Sequence, residues 1–158
     1  MTKTHVLLLL LFVLAPSVQF SQIPRTRSTS ASNGGTASNK LIIGPIKREH
    51  ISDGCGCTYT FKDDRNRTVY SDDFDQNVWM NIDGRDVKLK KVSEVSVPKG
   101  EVRKGQRTTA TYIAPGLKVK VETVVGKDYG EGHDYSGTIT VTKGRLQQTV
   151  RIVGSCGC

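Results

Sequence analysis

The residues of this chain best suited to chemistry are its four cysteines, and they fall in two identical spacings: Cys55 and Cys57 in ISDGCGCTYTF, Cys156 and Cys158 in VGSCGC. Sulfur at such positions can cross-link strands, ligate a soft metal or exchange with other thiols. A bond within one C-G-C is disfavoured, because side chains two apart on a strand stand roughly 6.5–7 Å apart, beyond disulfide reach. Two connectivities between the motifs remain: Cys55–Cys158 with Cys57–Cys156, or the crossed arrangement. Either bond encloses about 100 residues, worth about 4–5 kcal/mol of chain entropy. The second of two nested bonds closes almost no new loop. The alternative use of the same four sulfurs is a tetrahedral thiolate site for Zn²⁺ or Cu(I). Yet C-x-C is shorter than the usual arm of a zinc site, and an oxidising compartment favours bridges, so disulfides with no cofactor are the expected state.

Other candidate chemistry is sparse. His133 is the one histidine deep in the domain, in KDYGEGHDY beside Asp128, Glu131 and Asp134, and this stretch reads as a hydrated hairpin loop. SDDFDQN opens like a calcium loop, but Val78 stands where such a loop needs Gly and Gly84 where it needs Glu, which excludes an EF-hand and leaves only a looser grouping of Asp72, Asp73 and Asp75. A small hydrolase would have to draw carboxylates such as Asp75 and Glu131 from these loops, and no nucleophile-elbow pattern accompanies the serines.

The elements that must position the cysteines are strands. Past residue 55 the sequence alternates with period two and is punctuated by Gly, Asp and Asn, the pattern of an antiparallel all-β domain. Expected strands are 55–62, 68–71, 77–82, 85–92, 107–113, 117–125, 135–143 and 147–153. Asp83-Gly84 and Lys143-Gly144 are expected two-residue turns. Of the neighbours Trp79 and Met80, one should fill the core and the other cover its edge, with ligand stacking a second use for Trp79. Alternation groups Cys55, Cys57, Tyr59 and Phe61 on one face and Val150, Ile152, Gly154, Cys156 and Cys158 on another, both apolar and therefore inward. If the first and last strands are antiparallel neighbours, the register that sets Cys55 against Cys158 also sets Cys57 against Cys156 and Tyr59 over Gly154. The predicted architecture is a single antiparallel β-barrel or β-sandwich of about seven to eight strands, closed by its terminal strands.

Ahead of that domain, MTKTHVLLLLLFVLAPSVQF places Lys3 before a short apolar run, the pattern of a secretory signal peptide over residues 1–21. Residues 22–50 read as a tether rich in Ser, Thr, Asn and Gly, with 41–46 able to add an edge strand, and the domain as 51–158. After cleavage no apolar stretch long enough to span a bilayer remains, so a secreted or periplasmic product is expected. The net charge of +8 favours acidic partners. It is concentrated over Arg85, Lys88, Lys90, Lys91, Arg103, Lys104 and Arg107, with Lys88 and Lys90 alternating outward as part of a stripe. Nucleic acid is a poor candidate for an exported protein with few stacking aromatics.

CGCTYTF, VWMNIDGRDVKLK and VTKGRLQQTVRIVGSCGC together resemble a group of small exported bacterial proteins of uncharacterised function, over most of residues 55–158. The resemblance implies export and no activity. The sequence therefore predicts a non-enzymatic binding module, stapled by disulfides, that meets a protein or a polyanionic envelope component on its basic stripe; a thiolate metal-binding protein is the alternative.

Overall fold

The computed structural model describes residues 40–158. The expected signal peptide and residues 22–39 of the expected tether lie outside the described residues. Nine strands follow in order: β1 (Ile43–Gly44), β2 (Gly56–Phe61), β3 (Asp64–Asp72), β4 (Val78–Ile82), β5 (Arg85–Val97), β6 (Arg107–Ala114), β7 (Leu117–Asp128), β8 (Gly132–Lys143) and β9 (Leu146–Gly157). From β2 onward each strand pairs antiparallel with the next, and β9 returns to β2. The result is a closed eight-stranded barrel with β1 as an extra strand, so the barrel rather than the sandwich is realised.

The closing seam has the predicted register. Gly56 faces Gly157, Cys57 faces Cys156 and Tyr59 faces Gly154, and the bonds are Cys55–Cys158 and Cys57–Cys156, leaving no free cysteine among the described residues. A Cβ on Gly154 would lie 2.0 Å from the Thr58 carbonyl oxygen and 2.8 Å from the Tyr59 ring. Glycine there lets β2 approach, and the Tyr59 ring fills the space it leaves.

Turn chemistry sets the end opposite this seam's cysteines. Asp83 and Gly84 both have positive φ, 53° and 78°, the requirement of a primed hairpin turn. The last hairpin turns on Gly144-Arg145 rather than Lys143-Gly144: Lys143 and Leu146 are the closing pair, and Gly144, at φ 57°, takes the first central position.

The interior is graded along the barrel axis. Met80, Val119, Ile139, Val141 and Ile152 are almost wholly buried and close one end with aliphatic side chains. Met80 fills the core while its neighbour Trp79 lies on the outer surface beneath His50, the division of labour expected of that pair. β1 is not an outer edge. It pairs with the far half of β4, Ile43 to Ile82 and Gly44 to Asn81, where β3 has parted from β4, and Ile46 N–H donates to the Thr68 carbonyl of β3 at 2.8 Å. Leu41, Ile43 and Ile46 are buried, so the folded unit begins before residue 51.

A candidate ligand site in the barrel mouth

The other end is open. There β2 begins and β9 ends beside the β3–β4, β5–β6 and β7–β8 connections, and they surround a cavity of about 450 Å³ lined by Tyr59, Tyr70, Tyr112, Tyr135, Asp72 and the Cys57–Cys156 bridge, among others. Alternation delivers these side chains: Tyr70 and Asp72 are two apart on β3, while Tyr112, Ala110 and Thr108 point inward from β6. The rings form one cluster. Tyr59 stacks on Tyr70 with centroids 5.1 Å apart, Tyr70 meets Tyr112 edge-on at 5.9 Å, and Tyr135 tilts toward Tyr59 at 6.2 Å.

A hydrogen-bond chain runs through the cluster. Tyr70 donates its hydroxyl to Asp72 Oδ2 at 3.0 Å, which leaves Tyr112 to donate to the Tyr70 oxygen at 2.8 Å. Asp72 Oδ1 accepts from the Phe74 backbone N–H at 2.7 Å. Asp72 is only 5% exposed, and among the described residues it makes hydrogen bonds but no ion pair. Burial is the main cause raising the Tyr59, Tyr70, Tyr112 and Tyr135 phenols, with neighbouring phenols or acidic side chains adding to it. All four therefore remain donors at neutral pH.

The cysteine prediction needs one correction. Only Cys57 and Cys156 pack against the core, where Cys156 Sγ lies 3.1 Å from the Tyr59 hydroxyl. Cys55 and Cys158 are exposed, because the seam continues past the packed layer to the rim of an open mouth. With every sulfur bonded to another, thiolate coordination of Zn²⁺ or Cu(I) would first require reduction of both bridges. Among the described residues no three His, Cys, Asp or Glu side chains are grouped to hold a metal ion.

The basic run is divided. Lys88 and Lys90 are exposed on the outer wall, and Lys88 Nζ donates to Asn77 Oδ1 at 2.6 Å. A β-bulge between Lys91 and Ser93 reverses the alternation, so that Lys91, Glu94 and Ser96 all border the mouth. Lys91 belongs to the cavity rather than the stripe: its ammonium pairs with Glu94 at 2.9 Å and sits 5.9 Å from the centre of the Tyr112 ring. Burial pulls its pKa down, but the hydrogen bond to Glu94 and the nearby phenol and acids outweigh that and raise it. Arg85 is exposed at the β4–β5 turn, Arg103 and Lys104 on the β5–β6 connection, and Arg107 at the start of β6. On the outer side, where β4 begins and β5 runs on past it, Val78, Leu89, Ile113 and Pro115 line a groove of about 880 Å³ that Lys88 and Lys90 border and that shares Asp72 and Lys91 with the mouth.

The remaining candidates have local roles. The outer Trp79 carries the His50 imidazole on one face, 3.9 Å away and nearly parallel, and His50 Nδ1 bonds Asp86 Oδ2 at 2.8 Å. Asp73 caps its own loop through the Asp75 and Asn77 N–H groups and the Asn77 amide, and these hydrogen bonds hold its carboxyl below the usual range. Asp72 and Asp73 are thus engaged as hydrogen-bond acceptors in and beside that loop. Asp75 borders the outer groove and Glu131 the mouth, so the two do not share a cavity. His133 borders the mouth 3.7 Å from Asp128.

No protein-family model, curated protein or solved structure matches this chain. Among the described residues no helix is long and apolar enough to cross a membrane.

Tyr70, Asp72, Tyr112 and Tyr135 were not legible as a site. The available signal was in β8, where the inward position nearest the mouth is Tyr135 and those further along are Ile139 and Val141.

Proposed function

We propose that the protein is an exported, non-enzymatic binding module whose disulfides hold open a small-molecule site in the barrel mouth. The observation that carries it is the tyrosine-lined cavity of about 450 Å³, within the range of small-ligand sites. Its walls are rigid on three counts: closure removes sheet edges, the Cys57–Cys156 bridge ties the seam beside the cavity, and the Tyr112–Tyr70–Asp72 chain fixes the rings. A preorganised site loses little entropy on binding. Disulfides between the strands suit an oxidising compartment, the periplasm or the cell exterior.

A screen of small ligands by thermal shift tests this, run in parallel on the native protein and on A110W, in which an indole placed at an inward β6 position fills the mouth. Ligands should stabilise the native barrel and leave A110W unmoved. Equal shifts in both, or none in either, would remove the mouth as the site.

A second reading keeps an acidic partner on the outer wall, where Lys88 and Lys90 flank the apolar groove. K88Q/K90Q should then weaken retention on a polyanionic column, and unchanged retention would discard that surface.

A further inference from the structure

Resting on the mouth as a ligand site, we infer that its ligand is an organic cation, an amine or quaternary ammonium bearing a flat apolar group. Three independent features agree. The first is charge. The mouth is bordered by Asp72, Glu94 and Glu131 against the single ammonium of Lys91, an acidic recess in a protein whose formal charge is +8. Buried carboxylates are ordinarily matched by a cation. Lys91 is bonded to Glu94 and only neighbours Asp72, whose direct partners are the hydrogen bonds from Tyr70 and Phe74.

The second feature is the surface around that carboxylate. Four tyrosines line the cavity, and the negative face of an aromatic ring attracts ammonium groups. Phe74 completes the set at the rim. It is half exposed and held at φ 63°, a left-handed conformation that bulky side chains rarely adopt. Two carboxylates maintain it, Asp72 by accepting its N–H and Asp73 by capping the residues after it. Strain of this kind gathers at ligand clamps.

The third feature is Lys91 itself. In phase with the buried Leu89, Lys91 carries an ammonium to within 5.9 Å of the Tyr112 ring centre, so the chain already presents one cation to the wall that an exogenous one would use. Lys91 is then a competitor rather than an anion receptor, and its removal should strengthen binding. An anion site would predict the reverse.

Calorimetric titration with benzyltrimethylammonium, benzyl alcohol and benzoate separates the charge classes on a common ring. The cation should bind most tightly, with benzoate at least ~10-fold weaker. D72N should lower affinity for the cation by about 10-fold or more, the loss expected when a charge-assisted contact goes. K91M, at a half-exposed position, should raise it about two- to fivefold by removing a like charge. The Lys91 variant keeps the proposal testable if D72N does not fold. Tighter binding of benzoate or benzyl alcohol than of the cation, weaker cation binding in K91M, or binding of none of the three would each overturn the assignment. Whether the mouth itself falls with it is read separately, from the A110W screen.

Discussion

The two bridges are nested, and this makes a sharp statement about their energies. Cys57–Cys156 spans 99 residues and Cys55–Cys158 spans 103. Alone, either closes a loop of that length, which removes about 4.7 kcal/mol of unfolded-state entropy at 25 °C. Once one is present, the other closes only a ring of three residues from each strand, which the same relation values at about 2 kcal/mol. Removing one bridge as a Cys-to-Ala pair, C55A/C158A or C57A/C156A, should therefore cost about 2 kcal/mol, and removing both about 7. The inner pair should cost somewhat more, because Cys156 also packs against the core and meets the Tyr59 hydroxyl. Urea unfolding of the native protein and the three variants measures the cycle. Losses near 5 kcal/mol from each single pair, summing in the quadruple variant, would refute the reasoning, since they would mean that the bridges act independently.

Three further outcomes follow from the geometry. Tyr59, Tyr70, Tyr112 and Tyr135 have phenols raised above the ordinary value of 10.0 by burial; the native state keeps protons that the unfolded chain releases, so stability should hold below about pH 10 and fall as pH rises beyond it, with their tyrosinate absorbance appearing together with unfolding. H50A removes both the Asp86 hydrogen bond and the stack on Trp79 and should cost about 1–2 kcal/mol, while altering the emission of Trp79, the chain's one tryptophan. G154A should cost at least ~3 kcal/mol by thermal denaturation, because the new methyl meets the Thr58 carbonyl and the Tyr59 ring; a variant as stable as the parent would contradict the tight β2–β9 approach.

Strict alternation made the fold legible. Leu117 to Val125 and the two C-G-C strands state their inward faces residue by residue, and the cysteines then fix register and closure together. Legibility failed where local geometry breaks the period. The bulge before Ser93 carries Glu94 and Ser96 inward and exposes Val95 and Val97, and no residue type at that point announces an inserted position. β5 likewise runs on to Val97, past the expected end at residue 92. β1 was legible only as an edge strand because LIIGPI is too short to show a period, and its burial depends on a gap between β3 and β4 that only the assembled barrel contains. The mouth was hidden for a related reason: Tyr59, Tyr70, Tyr112 and Tyr135 are scattered over 77 positions of the chain, from 59 to 135, and converge only once the strands have closed on one another.

The order of the strands around the barrel dictates how it must assemble. Seven of its eight seams join strands consecutive in the chain, across connections no longer than the nine residues 98–106; the eighth, between β2 and β9, alone joins strands far apart. Hairpins form within microseconds, whereas contacts between distant segments wait on the whole chain. Ring closure is thus the last and slowest event, and it is the one that brings the thiols together. Oxidation therefore acts as a ratchet on a finished barrel, retaining only chains whose final seam has met in register.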